Sequence, residues 1–121
     1  MAIFKVFRPL EWQTFEQSRL FKGSADDIRD GFIHFSADSQ LRGTLAKYYQ
    51  DEARIIIAWV DNPAWGEQLK WDVSRGGAKF PHLYCDVHMD DVKHHWALSK
   101  MPSEAWDLSI IEPICKISFA P

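Results

Sequence analysis

The run from Arg54 to Val60, Arg-Ile-Ile-Ile-Ala-Trp-Val, constrains this chain more than any other stretch, because it is rich in β-branched residues and has hardly a polar side chain. A strand that is apolar toward both sides belongs in the middle of a sheet with material packed on both faces. Asp61-Asn62-Pro63 then turns the chain.

A length of 121 residues fits one domain over 1–121 with one core, since two halves would each be too small to bury enough surface. Hydrophobic residues make up 46% and charged residues 26%, a composition that packs rather than stays disordered. The formal charge of −3, with both signs scattered, provides no basic field for a nucleic-acid backbone. Met1 to Phe7 alternates apolar and basic residues and lacks the features of a signal peptide. The most apolar run, Ile55 to Val60, falls far short of the roughly 20 residues that span a bilayer. The expectation is a cytoplasmic protein without a membrane partner, with Cys85 and Cys115 as reduced, buried thiols.

Along the chain, Ile3 to Phe7 reads as a first strand, and Pro9 suits the first turn of a helix. Trp12, Phe15 and Arg19 follow at helical spacing, with Gly23 placed to stop that helix. Ser24-Ala25-Asp26-Asp27 has the Ser-x-x-acid pattern of a helix start, cut short by Gly31. In Phe32-Ile33-His34-Phe35, alternation puts Phe32 and His34 on one face and Ile33 and Phe35 on the other. Ser36 is then placed as an N-cap for a helix whose stripe is Leu41, Leu45, Tyr48 and Tyr49. Leu69, Trp71 and Val73 alternate with Lys70 and Asp72 before Gly76-Gly77, and Leu83 to Val87 resumes extended structure after Pro81. His95 to Leu98 adds a strand, Ser103 caps a short helix through Trp106, and Cys115, Ile117 and Phe119 alternate in a closing strand. Strand, helix, strand, helix and then mostly strands favours an α+β fold with mixed or antiparallel sheets over a doubly wound parallel one. Neither a Gly-x-Gly-x-x-Gly pattern nor a phosphate loop occurs.

His34 is the most informative single residue, at a strand end just before a helix N-terminus, where a rigid frame holds the side chain and backbone N–H groups attract anions. Ser36 and Gln40 share that corner. His82 follows Pro81 at a strand entry, and Tyr84, two residues on, points to the same side, a pair suited to a ring or a phosphate. Asp26-Asp27 and Asp90-Asp91 read as turn and helix-start acids on solvated surface. Trp59, Trp71, Trp96 and Trp106 read as core residues. A metal site is a weaker alternative, because His94 and His95 would point to opposite faces of a strand and no common zinc spacing is present.

Phe4-Lys5-Val6 with Glu11-Trp12, Asp30-Gly31-Phe32-Ile33-His34-Phe35-Ser36 with Gln40-Leu41, and Phe80-Pro81-His82-Leu83-Tyr84 with Val92 together resemble the bacterial and plant domain-of-unknown-function family numbered 952. The resemblance covers most of the chain to about Val92. It implies an ADP-ribosyltransferase-like fold, two small antiparallel sheets splayed around a cleft that binds NAD in the true enzymes. Gly31 to Tyr48 resembles the strand and helix that stack nicotinamide in the poly-ADP-ribose polymerases, with His34 near their tyrosine. On the first strand Lys5 falls near the histidine or arginine that those enzymes use for the NAD ribose, and Glu104 and Glu112 are loose candidates for the transferase glutamate.

The function expected on this basis is binding of NAD or another nucleotide or phosphate-bearing small molecule in a cleft with His34 and His82 as catalytic residues. Lys5, Ser36, Gln40 and Tyr84 are the expected ligand contacts, and the enzymatic version is an ADP-ribosyl- or phosphoryl-type transferase. A non-catalytic protein-interaction or regulatory module is the alternative.

Overall fold

Among the described residues, three antiparallel sheets organise the fold, and the crossing of the chain between two of them sets the position of the candidate site. The computed structural model describes residues 2–116 and Phe119. The elements run β1 (Ile3–Phe7), α1 (Pro9–Ser18), β2 (Leu20–Phe21), α2 (Ala25–Asp30), β3 (Ile33–His34), β4 (Ser36–Ala37) and α3 (Asp38–Tyr48). They continue with β5 (Arg54–Val60), β6 (Leu69–Val73), β7 (Lys79–Leu83), β8 (Val87–His88), β9 (Val92–Ser99) and α4 (Glu112–Cys115). Short 3₁₀ segments occupy Pro63–Gln68, Arg75–Gly77 and Met89–Asp91.

The apolar run forms β5, inside a sheet of order β4-β1-β5-β9. Its alternation divides the interior. Ile56, Ala58 and Val60 face a core with Phe7, Trp12, Phe15, Phe21 and Trp65, whereas Ile55 and Ile57 face a second core with Phe4, Leu41, Leu45, Trp96 and Leu108. Each such aliphatic side chain removed from water contributes about 1.5–3 kcal/mol before entropy is counted. The first core is tightened by rings, with Phe7 centred 5.1 Å from Trp12 and 4.9 Å from Phe21.

A second sheet has the order β3-β7-β6, and a two-stranded ladder joins β2 to β8. Phe35 alone separates β3 from β4, so the chain crosses from one sheet to the other within a single residue. The Phe35 amide donates to the Pro81 carbonyl at 3.0 Å, which ties the crossing to β7. Pro81 lies opposite Trp71 in the β6–β7 register, and both its carbonyl and its hydrogen-less nitrogen turn away from β6, so no hydrogen bond to β6 is lost there.

Several expectations change. Helix α1 stops at Arg19, which adopts a left-handed φ of 62°, and β2 follows before Gly23 is reached. Ser36 belongs to β4, the N-cap of α3 is Ala37, and the Ser36 hydroxyl pairs with that of Thr44 at 2.7 Å. No helix follows Ser103, where hydrogen bonds among Met101, Glu104 and Ala105 make a turn. Cys115 ends the short helix α4 instead of opening a strand, and Ile117 and Ser118 of that expected strand lie outside the described residues. Trp96 and Trp106 are buried, but Trp71 and Val73 are exposed on the outer strand β6. Cys85 and Cys115 are free and half-buried. Among the described residues no helix is long and apolar enough to cross a membrane.

Candidate functional site

A cavity of about 180 Å³ is lined by residues of the two larger sheets. Lys5 of β1 and Ser36 of β4 reach it from one sheet, Phe80 and His82 of β7 and His34 of β3 from the other, and α2 and α3 close it with Asp27, Asp30, Thr44 and Tyr48. His34 and His82 are direct partners in the β3–β7 ladder, and their ring centroids lie 5.4 Å apart. Strand alternation puts directly opposed residues on the same face, so the pairing register delivers two imidazoles from distant sequence positions to one wall.

Asp27 holds the polar side of the cavity together. Ser24 caps α2 and accepts from the Asp27 amide, while the Asp27 carboxylate accepts from the Ser24 amide at 2.9 Å. The same carboxylate accepts from Lys5 Nζ at 3.0 Å, from the His34 amide at 3.1 Å and from His34 Nδ1 at 2.6 Å. Asp27 is only 2% exposed. Burial pushes its pKa upward, but the His34 hydrogen bond, the Lys5 ammonium and the Ser24 amide outweigh that and hold it far below the ordinary carboxylate range. The second ring nitrogen of His34, Nε2, lies 3.0 Å from Asp30 Oδ2. Both nitrogens of this imidazole therefore face carboxylate oxygens, which can only accept.

His82 has a different environment. Its Nδ1 faces Asp72 Oδ2 at 2.9 Å, and the Tyr84 hydroxyl donates to that same oxygen at 2.7 Å. Phe32 stacks on the imidazole with centroids 4.0 Å apart and an interplanar angle of 23°. Burial lowers the pKa of His82 below its ordinary value and the neighbouring charge of His34 adds to this, against the pull of Asp72. His82 Nε2 is the one buried side-chain polar atom without a hydrogen-bond partner among the described residues.

Of the residues singled out in the sequence, His34, His82, Lys5 and Ser36 line this cavity. Gln40 and Tyr84 do not. The Gln40 side chain accepts from the Ala37 amide and donates to the Lys79 carbonyl at 2.6 Å, bracing α3 against β7, and Tyr84 acts on Asp72 from outside. Neither Glu104 nor Glu112 reaches the cavity; Glu112 accepts from the Phe119 amide. The solvated-surface reading of two acids is corrected: Asp27 is the buried hub, and Asp91 is 5% exposed, accepting from Asn62 and from the His88 amide. The Ser-x-x-Asp spacing was a signal for Asp27, because a capping carboxylate has its position fixed. Asp72 carried no comparable signal, since only the β6–β7 register sets it diagonally across from His82. His94 and His95 pack against Trp96 and Trp12 respectively, and the described residues contain no group of three or more metal-ligating side chains arranged around a common point.

Antiparallel sheets with helices beside them, and a cavity lined by paired histidines, define the class as an α+β protein with a pocket lined from two sheets. Residues 6–95 match the family described as Protein of unknown function (DUF952), and the chain belongs to that family. It is similar to the crystal structure of protein CC0527 from Caulobacter crescentus, with 36% identity over 92% of this chain and 97% of that one and a TM-score of 0.84. A solution structure of the same protein aligns over 91% and 95% of the two chains with a TM-score of 0.80. A comparison with curated proteins finds no match.

Proposed function

We propose that the intersheet cavity binds a small molecule of the nucleotide class, with NAD as the first ligand to test, within an ADP-ribosyltransferase-like arrangement of the two sheets. The observation that carries this is the pairing of His34 with His82 across one ladder at the cavity wall. Structural histidines are ordinarily satisfied one at a time at separate corners. Here two imidazoles, a buried lysine and a buried aspartate converge on one hollow, and such clustering of titratable groups in a concave site is the usual physical mark of a binding or catalytic centre.

Size limits what enters. Pockets that enclose a drug-sized ligand measure about 300–1,000 Å³, and this one is about 180 Å³. It suits one ring or one end group of a dinucleotide, the remainder lying along the mouth. Of the two histidines, His82 retains a nitrogen able to accept a proton, so acid–base work on a bound molecule belongs to it, while His34 orders the polar wall.

Differential scanning fluorimetry with NAD, ADP-ribose and nicotinamide tests the proposal. At least one should raise the melting temperature in a concentration-dependent way, as any ligand that prefers the folded state does, and His82→Ala should lose that increment relative to its own unliganded baseline. Flat curves for all three ligands in wild type would remove the nucleotide reading.

A further inference from the structure

We propose that the cavity receives an uncharged, hydrogen-bond-donating end of its ligand, an N–H or O–H group accepted by His82 Nε2, and keeps phosphate outside. This rests on the cavity being a small-molecule site, as proposed above, and names the chemistry of the part that enters.

The tautomer of His82 follows from its partner. Asp72 already takes a proton-bearing hydrogen bond from Tyr84, and an ionised carboxylate can only accept, so His82 Nδ1 must be the N–H donor at 2.9 Å. In the neutral ring Nε2 then carries a lone pair. Asp72 is not part of the cavity wall whereas His82 is, and the two ring nitrogens diverge, so Nε2 points away from Asp72; it is almost wholly covered, and a ligand donor reaches it by displacing what covers it. Phe32 covers one face of the ring. His82 is 2% exposed and this nitrogen has no partner among the described residues, which makes it an acceptor awaiting a donor in a dry place. The lowered pKa of His82 agrees with a neutral ring near pH 7.

Phosphate finds no comparable welcome in the wall. Lys5 is engaged by Asp27, Arg29 by Asp26 and Asp30, and Arg8 by Glu52 and Glu11. Both ring nitrogens of His34 face Asp27 and Asp30. An entering anion would meet the carboxylates of Asp26, Asp27 and Asp30 together with the His82 lone pair, and each cation it needs would have to be withdrawn from an existing ion pair.

The experiment is nitrogen-15 NMR of the histidine rings in the intact protein, with 2-pyrrolidinone, N-methyl-2-pyrrolidinone and inorganic phosphate as probes. The two lactams share ring and carbonyl and differ in the N–H donor. Expected near neutral pH are a proton on His82 Nδ1 and none on Nε2, a response of the His82 ring to 2-pyrrolidinone, N-methyl-2-pyrrolidinone weaker by about fivefold or more, and no competition from phosphate. Asp72→Asn, at a half-exposed position whose replacement leaves the core intact, should weaken the Nδ1–H preference and shrink the difference between the lactams. A merely structural Asp72 would leave the tautomer unchanged. A proton on Nε2 in wild type, equal binding of the two lactams, or phosphate displacing the N–H lactam overturns this inference and leaves the nucleotide pocket standing. Silence of the cavity toward NAD, ADP-ribose and all three probes overturns the pocket and this inference with it.

Discussion

Burying a carboxylate costs several kcal/mol unless its lone pairs are filled and its charge is met, and Asp27 meets both conditions through Ser24, Lys5 and His34. The arrangement makes stability depend on pH with a definite sign. The folded pKa of Asp27 lies below its ordinary 3.8, so on acidification the unfolded chain takes up the proton first. The Asp27 contribution is therefore fully present above about pH 4 and is lost as pH falls toward the folded value. His82 acts in the same direction at higher pH: burial and the charge of His34 put its folded pKa below 6.5, and between the two values the unfolded chain again holds more protons. We expect urea midpoints to decline in two stages on acidification, the first starting near about pH 6.5 and the second below about pH 4. In His82→Leu the first stage should flatten while the second persists; a wild-type midpoint constant between about pH 7 and about pH 5 would contradict the assignment. At this scale the sequence exposed His34 and His82, because a strand end beside a proline or a helix start restricts where a side chain points. Asp72 stayed hidden because its partner is chosen by hairpin register, and the ion pair of Lys5, a residue expected as a ligand contact, depends on α2 bringing Asp27 to β1.

Helix α2 has six residues, far too few to persist alone, so its place depends on the Ser24–Asp27 cap and on the ties from Asp27 to Lys5 and His34. Gly23 suits the tight entry to this helix, because its φ is +122° and a Cβ there would lie 2.8 Å from the Asp27 Cβ. Gly31, at the other end, also has a positive φ, of +88°, but a Cβ would meet nothing within 4 Å. The two positions separate backbone strain from steric displacement of the hub. Gly31→Ala should cost about 1 kcal/mol from left-handed strain, and Gly23→Ala about 1–3 kcal/mol in total as the clash is added. Chemical unfolding of both variants checks the order, and a Gly23→Ala no less stable than Gly31→Ala would show that Asp27 shifts at little cost. Elements with strong, long-range-independent signals were legible: the β5 run, the Pro9 start of α1, and the Ser24 cap. Ser36 misled because a serine before a helix looks like a cap, whereas tertiary pairing with β1 drew it into β4. Ser103 misled for the opposite reason: it has a cap's chemistry but no amphipathic run behind it that could bury a helix face.

Across the molecule, β5 is the wall shared by two cores, and adjacent residues on it serve opposite sides. Ile56 packs with the Phe7, Trp12 and Phe15 cluster, and Ile57 with the Phe4, Leu41 and Trp96 cluster. Removing either side chain leaves a cavity in a different core, at a cost of about 2–5 kcal/mol. Tryptophans report from both sides, Trp12 and Trp65 in one cluster and Trp96 and Trp106 in the other. Because one strand's hydrogen bonds to β1 and β9 hold both faces, neither core can open without loosening the ladder that the other needs. We therefore expect Ile56→Ala and Ile57→Ala each to lower one common transition, with tryptophan fluorescence and far-ultraviolet circular dichroism coincident in wild type and in both variants, as a two-state unit requires. The paired histidines depend on the same coupling, since β1 carries Lys5 to one wall of the cavity while β3 and β7 carry His34 and His82 to the other. Separate transitions in either variant would mean that the sheets melt independently, and the cavity between them would then lose its shape before the protein as a whole unfolds.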